Sequence, residues 1–95
     1  MDREHGIFLW DIDKEQINLL KHGIDFITAA RVFSDPQRKI FKDSQHSLEE
    51  ERLFCIGKID EQIITVRFSY RDFRIRIIGA GSWRKGRKYY EKTNQ

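Results

Sequence analysis

Apolar residues recur along the chain with two different periods, and the change of period divides it. Phe8-Leu9-Trp10 is a short apolar run that predicts a first strand. The spacing then becomes helical. Ile17, Leu20 and Ile24 make an apolar stripe, Asp13 is the expected N-cap with Gln16 as its capping-box partner, and Lys21-His22-Gly23 supplies the stop. Asp25 starts a second helix on which Phe26, Ala29, Ala30 and Phe33 fall at i, i+3, i+4 and i+7, and Ser34-Asp35-Pro36 ends it. Past Pro36 the period drops to two. Strands are expected at Arg38–Lys42, Arg52–Ile59, Gln62–Tyr70 and Phe73–Ala80, with Asp60-Glu61 as a turn. His46 is expected exposed in a polar loop over Asp43–Ser47, and Ser47 with Glu50 caps one helical turn. Ser82 opens a last helix reaching about Glu91. The order is β-α-α-β-β-β-β-α. This is an α+β fold of two helices, an antiparallel meander and a terminal helix, and residues 1–95 are read as one domain without linker or repeat.

The last two strands carry the most information. A two-residue turn at Arg71-Asp72 sets Tyr70 against Phe73, Phe68 against Ile75 and Val66 against Ile77, all apolar and on one face. The same register sets Ser69 against Arg74 and Arg67 against Arg76 on the other face. Like charges directly opposed on a ladder repel by roughly a few tenths of a kcal/mol or more, so an offsetting phosphate, or a carboxylate from the N-terminal half or from a partner, is expected. Arg71-Asp72 lacks the glycine usual in tight hairpins, which leaves a longer loop or a bulge open.

Charge reinforces the picture. Between Arg67 and Lys88 eight cations (Arg67, Arg71, Arg74, Arg76, Arg84, Lys85, Arg87 and Lys88) meet one acid, Asp72. That stretch carries +7 and the remainder −4, within a net +3. Such asymmetry suits a polyanion, with RNA or DNA first; the plainer reading is a solvated charged face. On the last helix Trp83, Gly86 and Tyr90 form one stripe, and Arg84, Arg87 and Lys88 another. Tyr89 and Tyr90 interleave aromatic faces with the cations, which suits stacking on unpaired bases. A core role is the plainer reading of Trp83 and Tyr90. Gly79-Ala80-Gly81 lets a ligand approach backbone, but no Gly-Lys-Ser/Thr follows, so this is not a P-loop.

No apolar run reaches membrane-spanning length and the N-terminus does not read as a signal peptide, so a cytoplasmic location is expected. The one cysteine, Cys55, excludes a disulfide within the chain and reads as a small buried hydrophobe. Histidines and cysteine lack metal-ligand spacing, so no metal and no cofactor is expected. His5 is read as disordered terminus. His22 is a candidate general acid or base, since imidazoles as a class titrate near neutrality, or else a helix C-terminal cation.

Taken together, Phe8-Leu9-Trp10-Asp11, Lys14, Asn18, Lys21-His22-Gly23-Ile24, Phe26, Ala29 and Val32-Phe33-Ser34-Asp35-Pro36 resemble the N-terminal pattern of the BrnT toxin family. Asp43-Ser44-Gln45-His46, Glu50-Glu51-Arg52, Ile56-Gly57, Arg74-Ile75-Arg76-Ile77-Ile78 and Arg87-Lys88-Tyr89-Tyr90-Glu91 continue the resemblance over nearly the whole chain. It implies a compact RelE-like fold, with two N-terminal helices on a curved antiparallel sheet and a C-terminal basic helix. It also implies a bacterial type II toxin, an endoribonuclease that cleaves RNA and inhibits translation. The implied partner resembles BrnA, a ribbon-helix-helix antitoxin that blocks the toxin and through which alone the toxin meets DNA. The chain departs from the family at one stretch. Gly79-Ala80-Gly81 stands where members usually carry Ser-Ala-Arg, and Gly86 stands for the Glu before the Arg-x-x-Tyr of the helix. The alternative reading is a catalytically weakened homologue that binds RNA or antitoxin without cleavage.

The expected reaction is attack of an RNA 2′-hydroxyl on its adjacent phosphate, which needs a base, an acid and cations for the developing charge. Arg67, Arg76 and Arg84 are assigned to the phosphate, and Arg71, Arg74, Lys85, Arg87 and Lys88 to holding RNA. His22 is assigned to proton transfer, and Tyr90 to base stacking or acid work. No metal is required where arginines supply the charge, and the 2′-hydroxyl selects RNA over DNA.

Overall fold

The alternating segments pair into a six-stranded sheet in the computed structural model, which describes residues 1–45 and 50–95. The expectations for His46 and for a cap at Ser47 fall outside the described residues. In chain order the elements are β1 (Asp2–His5), β2 (Phe8–Asp11), α1 (Ile12–His22), α2 (Phe26–Ala30) and a 3₁₀ turn (Arg31–Ser34). They continue with β3 (Lys39–Lys42), β4 (Leu53–Ile59), β5 (Gln62–Arg71), β6 (Arg74–Gly81) and α3 (Arg84–Thr93). The strands lie in the order β1-β2-β6-β5-β4-β3.

The meander from β3 to β6 is antiparallel as expected, but the sheet as a whole is mixed. β2 runs parallel to β6, pairing Phe8 with Ile75 and Leu9 with Arg76. The additional strand β1 turns back at Gly6, whose φ of 61° needs no Cβ, and pairs His5 with Phe8 and Asp2 with Asp11. His5 therefore belongs to a strand and not to a loose terminus. The sequence hid β1 because all four residues are polar and exposed, so no alternation marks it.

α1 presents its faces the other way round from expectation. Ile17 and Leu20 point to solvent, while Glu15 and Asn18 are buried and Ile24 packs in the core. Hydrogen bonds account for the reversal. Glu15 accepts from the Trp10 indole N–H at 2.9 Å and from the Phe26 backbone N–H at 2.9 Å. Asn18 donates to the Ile24 carbonyl at 2.9 Å and accepts from the Ala80 N–H at 3.0 Å. Two inward polar side chains thus satisfy donors and an acceptor that would otherwise be buried unpaired, each costing about 1–3 kcal/mol. The N-cap is Asp11, one turn-start earlier than Asp13, and its carboxylate accepts from the N–H groups of Asp13 and Lys14. Those bonds, Lys14's first, hold the Asp11 carboxyl below its ordinary value. Gly23 closes the helix at φ 70° and Asp25 caps α2, both as expected.

The β5–β6 hairpin turns at Asp72-Phe73, one residue later than expected. Both have positive φ, 51° and 65°, and occupy the positions a type I′ turn usually gives to Asn-Gly. The register becomes Arg71↔Arg74, Tyr70↔Ile75, Ser69↔Arg76 and Phe68↔Ile77. Ile78 is then an extra residue, and beyond this bulge Arg67 faces Gly79 and Thr65 faces Gly81. Val66, Phe68, Ile75 and Ile77 keep their shared buried face, because the expected register differs by an even step. Tyr70 stays on that face opposite Ile75 and against the Phe68 ring, but it lies beyond the core's edge and is exposed, and Phe73 sits exposed in the turn. The core lies between this face and α2 with the 3₁₀ turn, where Trp10 meets Phe26 and Phe68 meets Phe33 edge to face. Cys55 is fully buried there, and burial pushes its thiol up to about 12, so it behaves as a hydrophobe.

Candidate functional site

On the sheet face away from that core, Phe54, Arg67 and Gly79 lie in one row across β4, β5 and β6, and Ile56, Thr65 and Gly81 in the next. The two glycines leave the β6 end of these rows without side chains, and α1 and α3 stand at either side. Two open hollows result. The first, about 240 Å³, is lined by Lys14, Ile17, Asn18, Lys21, His22, Phe54, Arg67, Ile78, Gly79 and Trp83. The second, about 590 Å³, is lined by Phe41, Phe54, Ile56, Thr65, Arg67, Trp83, Lys85, Gly86 and Tyr89. They share Phe54, Arg67 and Trp83, so Arg67 stands where they join.

Two close contacts shape the second hollow. A Cβ on Gly81 would come within 2.7 Å of the Trp83 ring, so only glycine admits the indole over β6. A Cβ on Gly86 would come within 2.1 Å of the Thr65 hydroxyl, so only glycine lets α3 approach β5 this closely. Glycine at positions 81 and 86 is thus matched to its surroundings.

The Arg67 guanidinium lies 5.6 Å from the Phe54 ring centroid, and its Nε is 3.7 Å from the buried Asp43 carboxylate. That Nε is buried without a hydrogen-bond partner. His22 meets Trp83 edge to face at 5.1 Å. Lys14, Lys21 and Lys85 bring further positive charge to the walls, so an entering anion meets cations from three sides. Among the described residues, no group of three or more His, Cys, Asp or Glu side chains is disposed to hold a metal ion.

The other cations expected at the site are placed elsewhere. Arg76 pairs with Asp2 at 3.3 Å and Arg74 pairs with Glu4, so β1 takes up two of the hairpin's guanidiniums. Arg67 and Arg76 do not face each other, because the bulge and the later turn shift the register. Arg71 is exposed beside the hairpin tip, and Arg84, Arg87 and Lys88 are exposed on α3 and line neither hollow. Tyr90 is buried, and its hydroxyl donates to Asp35 at 2.6 Å. Burial and the Asp35 carboxylate push the phenol up to about 12. Burial pushes the Asp35 carboxyl up as well, but the Tyr90 hydroxyl and the N–H groups of Lys58 and Gln37 outweigh it and leave the group below its ordinary value. Tyr90 is a docking contact for α3.

Of the residues assigned from sequence, Arg67, His22 and Lys85 come together. Lys14, Lys21 and Phe54 were missed as site residues. The signal for the lysines was their seven-residue spacing, which places both on one face of α1 with Asn18 between them.

The fold is that of a small α+β protein, with an open cationic hollow walled by aromatic rings. Residues 10–86 match the family of ribonuclease toxins, BrnT, of type II toxin–antitoxin systems, and the chain belongs to that family. No curated protein matches the chain. The matched span includes Lys14, His22, Arg67 and Trp83 and stops short of Tyr89 and Tyr90.

Proposed function

We propose that this chain is a metal-independent endoribonuclease of RelE-like fold. It cleaves RNA in the hollow around Arg67 and thereby arrests translation. It acts in the cytoplasm and is held inactive by a BrnA-like ribbon-helix-helix antitoxin, through which it meets DNA. The observation that carries this reading is the Arg67 guanidinium, which lines both hollows where they join and keeps 35% of its side chain in solvent, although its inner edge faces Asp43. A phosphodiester lodged there meets the outer edge of the guanidinium, and Arg67 then stabilises the phosphorane charge as the 2′-hydroxyl attacks. Lys14 and Lys21 hold flanking phosphates, and His22 at the end of α1 takes the 2′-hydroxyl proton as the 2′O–P bond forms and returns it to the 5′ oxygen as the P–O5′ bond breaks. Arg76 and Arg74 are left out of the chemistry, since they line neither hollow and pair with Asp2 and Glu4 of β1.

Incubating the purified protein with end-labelled RNA in EDTA tests this. The expected result is fragments ending in 2′,3′-cyclic phosphate, no cutting of the 2′-deoxy analogue, and a rate that falls at least about 100-fold in Arg67→Ala, as when one preorganised donor is lost. Intact RNA with the wild-type protein, or an Arg67→Ala variant of full activity, would overturn the assignment. Co-expression with a BrnA-like ribbon-helix-helix protein, sought in the reading frame beside this gene, tests the partner: restored growth and a co-purifying complex are expected.

A further inference from the structure

We infer that the larger hollow is a stacking subsite for an unpaired nucleobase of the RNA, which makes the protein a reader of strandedness. The inference rests on the ribonuclease reading of Arg67 and adds the substrate class. Phe41 stacks at 5.2 Å on Phe54 and at 5.2 Å on Tyr89, so β3, β4 and α3 together present one tilted aromatic wall. Trp83 stands over Gly81 as another wall of the same hollow. Phe41, Tyr89 and Trp83 keep 36%, 43% and 42% of their surface in solvent, so their faces are not consumed by the core. The hollow's volume lies in the range of sites for small planar ligands, roughly 300–1,000 Å³.

Charge selects the occupant. An apolar peptide side chain would bring no anion to the solvent-facing side of Arg67 or to Lys85, whereas a nucleotide offers a base to the rings and a phosphate to the guanidinium at the junction. Stacking is tolerant of base identity but requires the base out of a duplex. The subsite therefore discriminates single-stranded from paired RNA and not one sequence from another.

The test uses the full chain and uncleavable 2′-deoxy oligonucleotides: a single strand, the same strand with abasic residues, and its duplex. Trp83 serves as reporter, because the other tryptophan, Trp10, is fully buried. The single strand should quench emission and bind about tenfold more tightly than the abasic strand or the duplex. Tyr89→Ala should erase that advantage while leaving abasic binding unchanged, and Tyr89→Phe should restore it. Equal binding of abasic and base-bearing strands, or a Tyr89→Ala variant that keeps the advantage, would overturn the subsite. Base-dependent binding by a protein that never cleaves RNA would sink the enzyme reading and support the subsite; cleavage without base dependence would do the reverse.

Discussion

Replacing Tyr90 by Phe removes one oxygen and changes nothing else about the α3 stripe. That oxygen donates to the Asp35 carboxylate at 2.6 Å, a short charge-assisted bond. Hydrogen bonds to charged groups contribute roughly 1.5–3 kcal/mol, and the lower end applies because Asp35 keeps the N–H donors of Lys58 at 2.7 Å and Gln37 at 2.9 Å. A loss of about 1.5 kcal/mol corresponds to a drop in Tm of about 6–12 °C for a domain of this size. Urea unfolding should show a lower midpoint at unchanged slope. The pH dependence adds a second readout. The phenol is raised from 10.0 to about 12 in the folded protein, so its contribution is complete below pH 10 and is lost as pH climbs toward 12. Tyr90→Phe should lack that alkaline loss. RNA cleavage per folded molecule should be unchanged, because the hydroxyl points to Asp35 and away from both hollows. A variant as stable as the parent, or one that stays folded and stops cleaving, would refute the reasoning and return Tyr90 to the chemistry.

Arg76→Ala should leave the cleavage rate within a small factor of wild type while loosening β1, measured as faster amide exchange over Asp2–His5. Glu15→Ala orphans the Trp10 indole and the Phe26 N–H, and should cost at least about 2 kcal/mol in urea unfolding. Gly86→Ala should destabilise by about 1–3 kcal/mol through the clash with Thr65, despite better helix propensity. In a Thr65→Ala background the clash is gone, and the same substitution should become neutral or stabilising by up to about 1 kcal/mol, a sign change that a double-mutant cycle reads directly.

What was legible in the sequence is what local chemistry decides. Gly23 and Asp25 announce a helix end and a helix start through their own backbone preferences, and the alternation in β4 to β6 announces the buried face. What was hidden depends on partners far along the chain. Ile17 and Leu20 look like a core stripe until Asn18 is seen to bond Ala80, and then hydrogen bonding outweighs hydropathy on α1. The hairpin turn slid to Asp72-Phe73 because cross-strand packing overrode the turn preference, leaving two non-glycine residues at positive φ. The bulge at Ile78 decided which arginine faces the hollow, and no propensity encodes it. Arg76 and Arg74 read as ligand-binding from the expected hairpin register because their answering acids, Asp2 and Glu4, sit in a strand without a hydrophobic signature.

The parallel pairing of β2 with β6 sets a schedule for biogenesis. Phe8, Leu9 and Trp10 leave the ribosome more than sixty residues before Arg74–Gly81, the edge they must zip onto. Until Arg74–Gly81 is available, the nascent chain holds an orphan hydrophobic segment, and Asn18 has no Ala80 amide to grip. Long-range closure of this kind slows folding and invites chaperone capture meanwhile. The wall contributed by α1 consequently rests on an anchor that synthesis supplies only once β6 has been made.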